Sequence, residues 1–384
     1  MLASQRALFD IPRDVAYFNS AGWSPIPKAV VEAGVRGATR KAQPWALAPD
    51  LADQVNERAR SAAAAVINAD PGDVALIPSV GYGVSTAAKV LKVPAGTRVL
   101  VLEDDHTAPV LEWMSRADEQ GFAVETVRRP TDGDWTSAVL EAVERPGASP
   151  LAVVSISSVH WSDGGAIDVV QVAQAARATG AALLVDATHG AGINDLDVKR
   201  IDPDFLVFPT YKWLLGPYGR AFLYVAKRRQ DGIPLEQPSL GRRSVKAEQP
   251  VYFADTRYLD NARRFDMAER DHFVSMEMAA TGIELVHGFG RAAVEARLAY
   301  LTKMIGEKAS ALGNEVALSD PRFRAPQLIC LGFPGGMPNG LAQQLAAEKV
   351  YAAPRIGRLR ISPHVYNDEE DVERLVSGLA KVLG

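Results

Sequence analysis

Apolar and polar positions alternate in blocks along the first two-thirds of the chain. Seven short, nearly continuous apolar runs stand out: VALIP (74–78), RVLVLE (98–103), AVETV (123–127), LAVVSIS (151–157), AALLVD (181–186), DFLVF (204–208) and AFLYV (221–225). Apolar runs of this length, bounded by turn formers, read as strands buried on both faces. Segments 82–91, 108–120 and 169–179 between them have a helical pattern. Strands alternating with helices predict an α/β fold with a mostly parallel, seven-stranded sheet covered by helices on both faces. The last two runs are joined by a short turn, so one antiparallel pairing is expected there. From about residue 246 the pattern changes to a loop-rich basic stretch. Helices over 273–286 and 291–312 follow, then an apolar strand QLICLGF (327–333) and a closing helix after Asn367. The expected division is an N-terminal arm (1–20) packing with a small domain, a large domain (21–245) and a smaller α+β C-terminal domain (246–384).

Composition narrows the classes without choosing among them. The chain has 384 residues, 47% hydrophobic and 23% charged, as globular proteins do. A formal net charge of −4 argues against nucleic acid or an anionic membrane as partner. No uncharged apolar run approaches the roughly 18 residues of a membrane span. The N-terminus carries charge early and lacks the apolar core of a signal peptide. One cysteine, Cys330, allows neither an internal disulfide nor a cysteine-rich metal site, which suits a reducing compartment. The expectation is a cytoplasmic protein without a metal, since no His, Asp or Glu cluster has metal-ligand spacing.

In open α/β sheets, ligands gather beyond the carboxyl ends of the strands. Those ends hold Ser79-Val80-Gly81-Tyr82-Gly83, Glu103-Asp104-Asp105-His106, Ser158 through Asp163, Asp186-Ala187-Thr188-His189 and Thr210-Tyr211-Lys212. A glycine-opened helix start can cradle phosphate, although it is neither a dinucleotide fingerprint nor a P-loop. Asp186 ends an apolar strand, where a carboxylate needs a partner or a buried cation. Lys212 ends another. It reads either as a loop lysine with its stem on Trp213 or as an amine nucleophile of lowered pKa. A lysine for a Schiff base, an acid for a protonated pyridine nitrogen and a stacking ring at His106 are what pyridoxal chemistry needs. His160 reads equally as a substrate contact or a loop residue.

VDATHGAG followed by FPTYKWLLGPYGRAFLYV resembles the aspartate and lysine motifs of class V aminotransferase-type enzymes dependent on pyridoxal phosphate, of fold type I. VAYFNSAGWSPIPKAV, EDDHTAPVLEW, SVHWSDGGAIDV, ARRFD and LRISPHVYNDEEDVERL resemble further family segments, in the family's order and over nearly the whole chain. The likeness is greatest to the branch with isopenicillin N epimerase-like and hercynylcysteine sulfoxide lyase-like proteins. The resemblance implies that the large domain binds pyridoxal 5′-phosphate and that Lys212 forms the Schiff base and shuttles the α-proton. It also implies that Asp186 pairs with the pyridine nitrogen, His106 stacks on the ring and His189 approaches the ring oxygen or phosphate. Gly81 and Tyr82 then offer N–H groups to the phosphate, and Tyr211 takes a phosphate-binding position. Trp161 or Ser162 lies near the ring oxygen, and Arg360 binds the substrate carboxylate. Arg355 and Arg358 read either as contacts to a second acidic group or as solvated arginines.

The chain also departs from the family pattern. Pro209 stands where many relatives carry a phosphate-binding serine, and MAERDHF (267–273) stands where many carry a Gly-Thr pair. In the family that pair reaches the partner subunit's phosphate; Arg270 is the candidate to supply charge there, with Glu269 beside it opposing a phosphate. Cys330, inside an apolar strand, reads as a small buried hydrophobe, so a persulfide-forming desulfurase is not expected. The resemblance implies Schiff-base and quinonoid chemistry on an amino acid in a homodimer, with an aminotransferase as the leading reading. A C–S lyase or an epimerase is the alternative, and a non-catalytic ligand-binding protein is a second one.

Overall fold

The apolar runs pair edge to edge into one sheet. A computed structural model describes residues 1–313 and 316–383. Its seven sheet strands are β1 (Val74–Ile77), β2 (Arg98–Leu102), β3 (Ala123–Val127), β4 (Leu151–Ser157), β5 (Ala182–Asp186), β6 (Phe205–Pro209) and β7 (Ala221–Val225). They lie in the order β1-β7-β6-β5-β4-β2-β3. All neighbours are parallel except β7, which runs antiparallel to both β6 and β1. Alternate residues of β6 face opposite sides, Leu206 and Phe208 into one core layer and Phe205 and Val207 into the other. That two-sided burial explains the near-continuous apolar runs.

Helices cover both faces. They are α1 (Lys28–Lys41), α2 (Leu51–Val66), α3 (Val80–Val90), α4 (Thr107–Gln120), α5 (Trp135–Glu144) and α6 (Val169–Thr179). The 82–91 helix starts two residues earlier than its pattern suggested, because Ser79 caps it by accepting from Tyr82 N at 3.1 Å. Gly83 lets α3 lie close on the sheet, since a Cβ there would come within 2.7 Å of Val207. At α6, Asp168 accepts from Val170 N and Gln171 N, each at 3.0 Å, and Gly180 closes the helix at φ +80°.

The later part of the chain forms an antiparallel sheet of β8 (Ala317–Leu318), β9 (Ile329–Gly332), β10 (Ala353–Arg355) and β11 (Arg358–Ile361), in the order β8-β9-β11-β10. The N-terminal segment joins this part: Ala16–Tyr17 pairs parallel with Val350–Tyr351, and Arg6 Nη1 lies 2.9 Å from Asp371 Oδ2. Asp368 through Asp371 open the closing helix Glu369–Leu383, and they are held by arginines as well as by the helix end. Arg13 pairs with Asp368 and Glu370, and Arg297 with Glu369. Among the described residues, no helix is long and apolar enough to cross a membrane, and no metal-binding group of His, Cys, Asp and Glu occurs.

Candidate active site

The carboxyl ends of β2, β4, β5 and β6 converge, and each delivers its side chain through a specific local bond. Beyond β2, Asp104 takes φ +56° and turns the chain. Asp105 then accepts from Ser157 Oγ at 2.7 Å and from His106 N at 2.7 Å, tying the start of α4 to the end of β4. His106 thereby becomes the N-cap of α4, with its ring at the mouth of the site and edge-on to Trp161 at 6.0 Å. Desolvation by its surroundings, followed by the Lys212 charge, lowers its pKa. Asp186, buried at the end of β5, accepts from Thr188 N at 2.8 Å.

Lys212 is 5% exposed, with no carboxylate at ion-pair distance among the described residues. Its pKa falls to about 7, chiefly by burial and then by the charge of Arg360, against a smaller upward pull from Asp186. Its Nζ lies 3.2 Å from His189 Nε2. On the far side of that ring, Trp213 Nε1 donates to His189 Nδ1 at 3.3 Å. A neutral imidazole that accepts at Nδ1 carries its proton on Nε2, so Nε2–H points at the lysine lone pair. Burial holds His189 well below the usual histidine range, which fits that tautomer. His364 stacks on Trp213 at 5.7 Å and is itself lowered to about 4 by burial. A row of uncharged rings therefore backs the amine.

Arg360, on β11, is 2% exposed. Its Nη1 donates to Trp161 O at 2.9 Å and Nη2 to Asn19 Oδ1 at 3.5 Å, while its buried Nε has no partner. Burial, then the charge of Arg355, lowers it to about 10. The guanidinium has no internal acid among the described residues, an arrangement that suits an incoming carboxylate.

A cavity of about 330 Å³ reaches Lys212 past Ser79, Gly81, His106, Thr188 and Tyr211. Gly81 lies in the first turn of α3, where N–H groups lack an intrahelical acceptor. Tyr82 N is already engaged by Ser79 Oγ, so of the two expected N–H donors Gly81 is the one left open. Tyr211 lies against Tyr218, ring centroids 3.9 Å apart, and lines the same cavity. An amine, a ring at the mouth and an open helix start around one cavity, with the buried Asp186 bonded to the lining residue Thr188, fit pyridoxal 5′-phosphate.

Two expected placements differ. The Ser162 hydroxyl is committed to His160 Nδ1 at 3.2 Å and Arg129 Nη2 at 3.1 Å, which leaves Trp161 as the loop residue beside His106. His160 is not at the mouth: its ring stacks on Trp135 at 4.6 Å, and its Nε2 lies 3.0 Å from Glu103 O. Asp163, despite burial, is held at about 2 by His160 and Arg129, so this cluster is a braced support for the loop. Arg270 is engaged by acids of its own chain, its Nη1 bound to Asp266 Oδ2 at 2.9 Å and its Nη2 to Asp53 at 3.2 Å. Two residues went unread. Asn19 touches Arg360, and Gln327 Nε2 donates to His189 O at 2.6 Å. Both act through loop contacts that leave no periodic trace.

A family model for aminotransferase class-V matches residues 16–375. The uncharacterized aminotransferase YcbU of Bacillus subtilis is 27% identical over 84% of this chain and 83% of its own length. Isopenicillin N epimerase of Streptomyces clavuligerus is 25% identical over 96% of this chain and 95% of its own. A probable cysteine desulfurase of Pyrococcus abyssi is 26% identical over 97% and 96%. The solved structure of the cystine C–S lyase C-DES with its product cysteine persulfide superposes with a TM-score of 0.85 at 19% identity, covering 96% of this chain and 98% of that one.

Proposed function

Since the chain belongs to the aminotransferase class-V family, a family of pyridoxal-phosphate enzymes, we propose that it transfers the α-amino group of an amino acid to a keto acid. One observation carries the reading: a buried lysine amine, lowered to about 7, has a histidine rather than an acid as its neighbour. An amine that is substantially neutral near pH 7 is what a nucleophile and proton shuttle requires. Bound pyridoxal phosphate would supply the aldehyde and the electron sink for this chemistry. Lys212 then holds the cofactor and moves the proton at the substrate α-carbon. Asp186 keeps a proton on the ring nitrogen, and His106 covers the ring. Gly81 and Tyr211 hold the phosphate end, and Arg360 takes the substrate carboxylate.

The full-length likeness to isopenicillin N epimerase supports a second outcome at the same residues, in which the α-proton returns to the other face. Elimination of a sulfur group would use the same lysine. Cys330 takes no part in either reading: burial pushes its thiol up to about 12, far from the thiolate a persulfide relay needs. A homodimer belongs to the proposal as well. The hairpin of Arg242–Ser244 and Asp255–Tyr258 presents Val251, Tyr252 and Phe253 at 62%, 49% and 64% exposure, an apolar patch suited to a second copy. The single, unpaired thiol suits a cytoplasmic setting.

The test is borohydride reduction of the pyridoxal-phosphate-loaded protein, followed by peptide mapping. The cofactor mass should appear on the Lys212 peptide and disappear in Lys212→Ala. Product analysis then separates the outcomes. Keto acid formed only with an added acceptor supports transfer. Ammonia and pyruvate without acceptor indicate elimination, and inversion with solvent deuterium uptake indicates epimerisation. A protein that takes up no pyridoxal phosphate ends the reading.

A further inference from the structure

The hairpin β10–β11 pairs Ala353 with Arg360, Pro354 with Leu359 and Arg355 with Arg358. Directly opposed residues share a face of an antiparallel pair, and so do residues two apart on one strand. Arg355, Arg358 and Arg360 therefore line up on one face of the small sheet, while Leu359 and Ile361 point into the core on the other. The arginine face looks onto the catalytic loop. Arg360 donates to Trp161 O, and Cys330, paired opposite Arg360, donates to Ser162 O at 3.2 Å. The hairpin closes in two residues, Ile356 at φ +44° and Gly357 at φ +72°. Such a turn fixes the register of the arginines.

Several buried arginines elsewhere have acids, as Arg60 and Arg270 face Asp266, Arg98 faces Glu125 and Arg297 faces Glu369, whereas Arg220 and Arg264 bind Ser275 and backbone carbonyls instead. None of the three hairpin arginines has a carboxylate at ion-pair distance among the described residues. Arg355 is half-buried, and its guanidinium makes one hydrogen bond, from Nη1 to the neighbouring Pro354 O at 2.7 Å. Its charge is close enough to depress both Lys212 and Arg360. Arg355 and Arg360 thus bring two guanidiniums, without acid partners among the described residues, to one side of the site.

We propose that Arg355, flanked by Arg358, is a second anion subsite, and that the substrate is an amino acid with an acidic side chain. Arg360 takes the α-carboxylate and Arg355 the distal carboxylate. Charge-assisted hydrogen bonds to a guanidinium fork favour that geometry over a neutral amide. The inference rests on the amino-acid-processing reading above.

The experiment titrates the pyridoxal-phosphate-loaded protein with L-aspartate and L-glutamate, and with their neutral isosteres L-asparagine and L-glutamine, following the visible absorbance. In the unaltered protein the acidic member of each pair should bind on the order of ten- to a hundredfold more tightly than its amide. In Arg355→Gln that ratio should fall toward one, and Arg358→Gln should lower it by less. Retained cofactor absorbance and melting temperature in each variant show that the fold is intact. A ratio near one in the unaltered protein, or one that survives both substitutions, overturns the subsite and leaves the amino-acid reading standing. A spectrum that no amino acid of either class perturbs overturns both.

Discussion

Lys212 Nζ and His189 Nε2 lie 3.2 Å apart, and both side chains are buried. The contact has a consequence for stability as well as chemistry. Burial lowers the lysine to about 7 from the ordinary lysine value of 10.5. Between those values the unfolded chain binds the proton and the folded one does not. The penalty is therefore full below pH 7 and fades as pH rises toward 10.5. Replacing Lys212 with Met should stabilise the cofactor-free protein by a few kcal/mol at pH 6. The gain should shrink steadily to pH 10. Urea melts of the two proteins across that range check it, and a gain that does not change with pH would contradict the lowered amine.

Arg360 carries a similar tension between stability and function. Its guanidinium is buried without an acid, and its Nε has no partner. Arg360→Met should leave the cofactor-free protein as stable as before, or more stable by about 1–3 kcal/mol. The same change should weaken amino-acid binding by on the order of a hundredfold. Thermal melting and absorbance titration together test this. Loss of stability without loss of binding would assign Arg360 a structural task instead.

Much of this arrangement was legible before any coordinates, and the exceptions share a cause. The seven apolar runs became the seven strands because each is buried on both faces, and the strand ends then brought Asp186, His106 and Lys212 together. Helices α1 and α2 went unread. Both lie before the first strand of the sheet, outside the strand–helix alternation by which the later helices were read. The placement of Ser162 went unread for another reason. In irregular segments a side chain's direction is set by its partners, here Arg129, which lies 33 residues away in sequence.

Asp266 is the clearest case of such a hidden partner. It is fully buried, accepts from Arg60 Nη2 at 2.8 Å, from Arg270 Nη1 at 2.9 Å and from Leu76 N at 2.8 Å. Removing it leaves two buried guanidiniums and a strand amide without their acceptor. Asp266→Ala should cost about 3–5 kcal/mol, read as a lower urea midpoint. Asp266→Asn, which keeps an acceptor oxygen but not the charge, should lose less. Equal stability of Ala and Asn variants would mean that the charge adds nothing to the hydrogen bonds.

Cys330 separates sulfur chemistry that needs a protein thiol from chemistry that does not. The side chain is 1% exposed on β9, donates to Ser162 O at 3.2 Å, and is pushed up to about 12 by burial. A thiol in that state is neither exposed nor ionised at neutral pH, and we expect it to take no part in sulfur transfer. Cys330→Ala should therefore cost about 1 kcal/mol of stability through the lost packing. It should leave turnover of cysteine, cystine or any other accepted amino acid within about twofold, a difference of under 1 kcal/mol in barrier. Sulfide release measured with and without an added thiol, in both proteins, makes the comparison. Loss of sulfide release in the alanine variant alone would show that Cys330 reaches the substrate after all and would return a persulfide relay to consideration.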